Sequence, residues 1–133
     1  MSAARVLIAD DHPFVLEGLV SLLKDKYDIV AAVTDGNLLV EAATRLRPDV
    51  IVTDISMPEL NGIEALKRLR AAGVDARIIM LTLYADADVV TELIRVGASG
   101  FVLKLLATSE LPIAIEQVLL GKIYRTPALD SGH

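Results

Sequence analysis

The feature that most constrains the fold of this chain is a set of five short apolar runs, at residues 5–9, 27–33, 50–54, 77–83 and 100–103, with helix-like stretches between them. Val50-Ile51-Val52-Thr53-Asp54 shows the type: strand-forming residues lead straight into an aspartate, and Met57-Pro58 then stops the run from continuing. A strand that is apolar at consecutive positions must be covered on both faces, which is the condition of a parallel strand with helices on either side. In such sheets the chemistry collects at the carboxyl ends of the strands.

The stretches between the runs have helical spacing. His12-Pro13 opens one over 14–24, where Glu17, Ser21 and Lys24 make a narrow polar face. Thr34-Asp35-Gly36-Asn37 starts another over 38–46, and the apolar positions 63, 66 and 69 set a third over 63–70, with Gly73 as its stop. Asp86 or Asp88 caps a fourth at 89–96, ended by Gly97. Ser109-Glu110-Leu111-Pro112 begins the last, with Pro112 in its first turn, running to Leu120 before Gly121. Strands alternating with helices through short loops predict an α/β fold, a doubly wound five-stranded parallel sheet. Residues 1–121 form one domain in this reading, and 122–133 a linker or tail.

A chain of 133 residues is long enough to bury a core without staples, and it has no cysteine, so disulfides, zinc-thiolate sites and thiol nucleophiles are excluded. The lack of cysteine and of a signal-like start points to a cytoplasmic setting, and no apolar run approaches the roughly 18 residues of a membrane span. A net charge of -5 argues against this chain itself gripping a phosphate backbone.

Taken together, the strand ends carry Asp10 and Asp11 after the first run, Asp54 after the third, Thr82 in the fourth and Lys104 after the fifth. Carboxylates gathered at one sheet edge repel one another by about 4 kcal/mol per pair at roughly 4 Å and an effective dielectric near 20. Mg²⁺ relieves that repulsion, since it takes one or two carboxylates and keeps waters and phosphate oxygens in its shell. Lys104 offers a point charge and Thr82 a hydroxyl to phosphoryl oxygens, and an aspartate such as Asp54 can itself be the nucleophile of phosphoryl transfer. Each residue alone has a structural reading, as a cap or a loop charge. Five at the ends of four strands are harder to assign to chance.

This ordered set resembles the receiver domain of two-component response regulators. The similarity covers residues 5 to about 120, and Asp54-Ile55-Ser56-Met57-Pro58-Glu59-Leu60-Asn61-Gly62 matches the family signature Asp-x-x-Met-Pro-x-x-x-Gly. The resemblance implies a flavodoxin-like (βα)5 fold with strand order 2-1-3-4-5. It implies that Asp54 accepts a phosphoryl group from a sensor histidine kinase. Asp11, Asp54 and the Ser56 carbonyl would ligate Mg²⁺, with Asp10 acting through water. Thr82 and Lys104 would hold the phosphoryl oxygens, and Phe101 would be the switch aromatic that turns inward as Thr82 moves. The activity implied is transfer to the chain's own aspartate and self-dephosphorylation, not turnover of a substrate. The opening Ala-Asp-Asp-His-Pro and the closing Gly-Lys-Ile-Tyr-Arg-Thr-Pro-Ala-Leu resemble the LuxR/NarL-type subgroup, in which DNA binding belongs to a helix-turn-helix domain not found in these residues. Three positions depart from the usual pattern: Leu83 stands where a small residue is common, Leu105 where many members have proline, and Phe101 where tyrosine is usual, so its turn can bury area but makes no hydrogen bond.

The first and last helices are more apolar than one buried face requires. Leu111, Ile115, Val118 and Leu119 can face the sheet, leaving Ile113 and Leu120 to point elsewhere. With both helices on one side, the surplus forms one patch, suited to a partner such as a second copy on activation, or serving only to pack the helices together. Three rival readings fit less well. A degenerate receiver that signals by binding alone has no need of an intact Asp54, Thr82 and Lys104. An aspartyl-nucleophile hydrolase would carry Asp-x-Asp-x-Thr, and a flavodoxin-like cofactor binder would need a Gly/Ser/Thr-rich loop where Asp10-Asp11 stands.

Overall fold

The computed structural model describes residues 3–83 and 86–127. Its strands are β1 (Arg5–Ala9), β2 (Asp28–Val33), β3 (Val50–Asp54), β4 (Arg77–Thr82), β5 (Gly100–Leu103) and β6 (Tyr124–Arg125). The helices are α1 (Pro13–Leu23), α2 (Gly36–Leu46), α3 (Gly62–Ala71), α4 (Ala87–Arg95) and α5 (Ala107–Leu119). All strand pairs are parallel, in the order β2-β1-β3-β4-β5-β6.

The two-residue period of the strands divides the core in two. Val6, Ile8, Val50, Val52, Ile79, Leu81 and Val102 face one side, where Leu16, Leu19 and Leu23 of α1 meet Leu111, Ile115 and Val118 of α5. Leu7, Ala9, Ile51, Ile78, Met80 and Phe101 face the other, against Leu39 of α2, Leu66 and Leu69 of α3, and Val90 and Leu93 of α4. Each such side chain, once buried, contributes about 1.5–3 kcal/mol. The continuous apolar runs are thus accounted for.

Four expectations are corrected. A sixth strand joins the sheet where a tail was expected: β6 lies along β5, and the Thr126 hydroxyl accepts from Leu103 N at 2.9 Å while Thr126 N donates to Phe101 O at 2.9 Å. The sheet therefore reaches beyond residue 121, whereas 128–133 lie outside the described residues. The Tyr124 hydroxyl donates to Glu110 Oε1 at 2.7 Å, and burial together with that carboxylate pushes the phenol up to about 12. Helix α4 starts two residues earlier than expected because Asp86, not Asp88, is its cap, accepting from Asp88 N and Val89 N. Helix α5 likewise starts at Ala107, after a 3-10 turn at Lys104–Leu106 that includes Leu105, so Pro112 lies inside the helix rather than in its first turn. Finally, Leu119 is 40% exposed instead of facing the sheet.

The loop after β3 is held by close backbone approach. A Cβ on Gly62 would stand 2.7 Å from the Asp54 carbonyl oxygen, and one on Gly36, at the start of α2, would stand 2.6 Å from Leu60 Cβ and closer still to the Leu60 backbone. Two glycines thus let α2 and α3 close over the chain that follows Asp54.

Candidate functional site

Parallel pairing brings the ends of β1, β3, β4 and β5 to one edge, and there Asp10, Asp54, Thr82 and Lys104 meet. Asp10 is fully buried and Asp54 nearly so, whereas Asp11 is partly exposed. Lys104 Nζ donates to Asp54 Oδ2 at 2.8 Å and lies 3.0 Å from Asp10 Oδ2, bridging two strand ends. This second contact is an ion pair without hydrogen-bond geometry, since Asp10 Oδ2 has no hydrogen-bond partner among the described residues. Asp54 Oδ1 accepts from Ser56 N at 3.2 Å and Asp10 Oδ1 from His12 N at 2.9 Å, so each carboxylate is oriented by the turn that follows it.

Burial pulls the Lys104 ammonium down, but its hydrogen bond to Asp54 and the Asp10 carboxylate paired with it outweigh this and hold it above the ordinary lysine value. It therefore stays charged through neutral pH. Three acidic side chains against one ammonium give this edge a donor set suited to a divalent cation.

A cavity of about 340 Å³ opens onto this group, with Asp54, Thr82, Leu83, Val89 and Lys104 among its walls. Leu83 is 55% exposed at its rim. Phe101 is already turned inward, fully buried in the same cluster as Val90 and Leu93. A larger depression of about 700 Å³ lies at the opposite edge of the sheet. Two of its arginines are engaged with backbone: Arg47 Nη1 donates to Gly73 O, and Arg70 to Val74 O and Gly97 O. They tie loops together and leave the chemistry to the acidic edge.

The pattern of residues 6–116 matches the family model of the response regulator receiver domain. The chain belongs to that family. Among curated proteins, this receiver domain is 38% identical over 121 residues to the nitrate/nitrite response regulator protein homolog of Haemophilus influenzae, covering 90% of this chain and 58% of that protein. It is 36% identical over 129 residues to the nitrate/nitrite response regulator protein NarL of Escherichia coli, covering 95% of this chain and 59% of that protein. Among solved structures, the LuxR-family two-component response regulator of Aurantimonas sp. SI85-9A1 superposes with a TM-score of 0.91 at 32% identity, covering 98% of this chain and 94% of that one. The chain spans a little under three fifths of the length of the curated relatives it matches. The LuxR/NarL-type relationship expected from the terminal motifs is borne out.

Receiver domains hold Mg²⁺ at an acidic pocket, and the residues here fit such an ion. Ligand atoms of Asp10, Asp11, His12 and Asp54 lie within 4.8 Å of one another. Asp10 Oδ2 and Asp11 Oδ1 are buried without hydrogen-bond partners among the described residues, and carboxylate oxygens are the donors that a hard cation takes. In the sequence His12 reads as a helix opener and as part of the Ala-Asp-Asp-His-Pro motif, not as a ligand. The signal that would have flagged it is its place directly after two strand-end aspartates.

Lys104 also changes an expectation about charge. Repulsion alone predicts that Asp54→Asn stabilises the metal-free protein; with Lys104 at 2.8 Å, the lost attraction offsets about one of the two repulsions removed. A gain smaller than repulsion alone would give is expected, read as a modest rise of Tm in chelator. A fall would mean that the ion pair outweighs the crowding of carboxylates.

Proposed function

We propose that this receiver domain accepts a phosphoryl group on Asp54 from the phosphohistidine of a sensor histidine kinase, in a Mg²⁺-dependent reaction. The observation that supports the reading most is the meeting of Asp10, Asp54 and Lys104 within 3.0 Å contacts at the mouth of a cavity walled by Thr82. An Asp54 oxygen forms the new bond to phosphorus as the phosphorus–nitrogen bond breaks, and the electron pair stays on the imidazole of the donor. Asp11, Asp54 and the Ser56 carbonyl would hold Mg²⁺, with Asp10 acting through water. When bound, the ion neutralises charge on the phosphoryl oxygens. Lys104 turns from Asp54 to the new phosphoryl oxygens, and the Thr82 hydroxyl donates to another.

The phosphoryl group adds about -1.5 to -2 charges to an acidic edge, which makes Lys104 indispensable to the product. Drawing Thr82 toward the phosphoryl group favours the inward position of Phe101, and the surface of α4, β5 and α5 changes with it. The same residues hydrolyse the acyl phosphate afterwards, so the domain is a signalling switch whose only substrate is itself. A cytoplasmic site of action, homodimerisation on activation and control of transcription complete the reading, with DNA contact left to another domain. Phe14, Ile113 and Leu120, exposed on and beside α1 and α5, offer the apolar surface for a second copy.

The test is intact mass after incubation with acetyl phosphate, with and without Mg²⁺. A Mg²⁺-dependent phosphoryl adduct in the parent and none in Asp54→Asn is expected; an adduct that survives the substitution would overturn the assignment. Because Leu83 narrows the cavity rim, Leu83→Ala should react several-fold faster with this small donor. Equal initial rates for the two proteins would show that the leucine does not obstruct Asp54.

A further inference from the structure

We propose that His12 supplies the acidic pocket with a nitrogen ligand, so that this receiver domain binds an imidazole-preferring divalent transition ion, such as Ni²⁺ or Zn²⁺, more tightly than Mg²⁺. The inference rests on the reading of Asp10, Asp11 and Asp54 as a divalent-cation site.

The geometry carries it. His12 Nδ1 lies 3.1 Å from Asp11 Oδ1 and 3.5 Å from Asp10 Oδ1. Neighbouring ligands of an ion with bonds of about 2.1 Å stand roughly 3 Å apart, and opposite ones roughly 4.2 Å. The imidazole nitrogen is thus spaced from both carboxylates as a ligand at right angles would be. All four residues hold their ligand atoms within 4.8 Å, so small side-chain rotations complete one shell.

The backbone fixes the placement while leaving the ring free for it. His12 is the N-cap residue of α1, and its main-chain N–H is held by Asp10 Oδ1 at 2.9 Å. Its side chain makes no capping hydrogen bond to the helix, so the imidazole is not committed to that role. At 67% exposure the ring faces solvent, from which an ion arrives.

Donor chemistry then sets selectivity. Mg²⁺ favours oxygen and gains little from imidazole, whereas Ni²⁺, Cu²⁺ and Zn²⁺ gain from a nitrogen donor and bind mixed N/O sites more tightly. The chain has no cysteine and only two histidines, so among the described residues His12 is the one imidazole or thiolate donor. An ion held by His12 and these carboxylates occupies the oxygens that Mg²⁺ needs. The plainer alternative is an imidazole that only ion-pairs with Asp11, which gives no such preference.

The test is calorimetric titration of the full chain with Ni²⁺ alone and with Mg²⁺ alone, in a His133→Ala background that removes the other imidazole. His12→Ala and His12→Gln should each lower the ratio of Ni²⁺ to Mg²⁺ affinity at least tenfold. A ratio unchanged within about twofold in both variants would overturn the role of His12 while leaving the acidic pocket intact. Absence of binding by either ion to the parent would overturn the pocket itself, and the inference with it.

Discussion

Lys104→Met is expected to lower stability in chelator by about 3–5 kcal/mol, the cost of leaving buried carboxylates without their cation. Asp10 is fully buried and Asp54 nearly so, and Lys104 Nζ contacts both, at 3.0 and 2.8 Å. Methionine fills a similar volume, so the loss reports charge more than packing. Mg²⁺ should restore much of it, because a divalent ion among the same carboxylates replaces the missing charge, and the Mg²⁺-induced rise in Tm should be larger than in the parent. Phosphorylation should behave differently. With no ammonium to take the phosphoryl oxygens, the rate with acetyl phosphate should fall by roughly 10²–10³ even at saturating Mg²⁺, the range seen when one preorganised donor is lost. Denaturant melts with and without chelator, beside rates of adduct formation, separate the two effects. Parent-like stability in chelator would mean that the Lys104 bridge does not hold this edge together.

Gly36→Ala is expected to be the most damaging small substitution outside the acidic edge. The added Cβ would stand 2.6 Å from Leu60 Cβ and closer to the Leu60 backbone, which cannot swing away as a flexible side chain would. Either α2 shifts or the 57–61 loop moves, and overpacking of this kind costs about 3 kcal/mol or more. Because that loop follows directly from Asp54, the phosphorylation rate should fall with the stability. Gly18→Ala provides the contrast. Nothing lies within 4 Å of a Cβ there, the position is inside α1, and alanine should stabilise by about 0.5–1 kcal/mol. Chemical denaturation of the two variants should move in opposite directions; a shared direction would contradict the packing argument.

How much of this was legible in the sequence depended on the range of the interactions. Val50-Ile51-Val52-Thr53-Asp54 announced a two-sided buried strand because its pattern is local, and the same holds for β1, β4 and β5. Asp10, Asp54, Thr82 and Lys104 came together because parallel strands must end at one edge. The starts of α4 and α5 were read two residues late because Ala87 and Ala107 carry no periodic or capping signal of their own. β6 was not legible at all. Two residues hold no period, and their strand character comes from an edge more than twenty residues upstream. The bridging reach of Lys104 and the turn of His12 toward Asp11 are side-chain geometry, which spacing along the chain does not encode.

β6 has a consequence for how the molecule behaves in company. Without it, β5 would be the sheet's outer strand, its unpaired Phe101 carbonyl and Leu103 amide open to any extended peptide. Outer strands of that kind recruit copies of themselves and seed aggregation, and nature blunts them by keeping the last strand very short. Tyr124–Arg125 does this with two residues, sealed by the buried Thr126. The stretch Tyr124–Thr126, part of what looked like a loose tail, is therefore a cover for the sheet edge against such pairing.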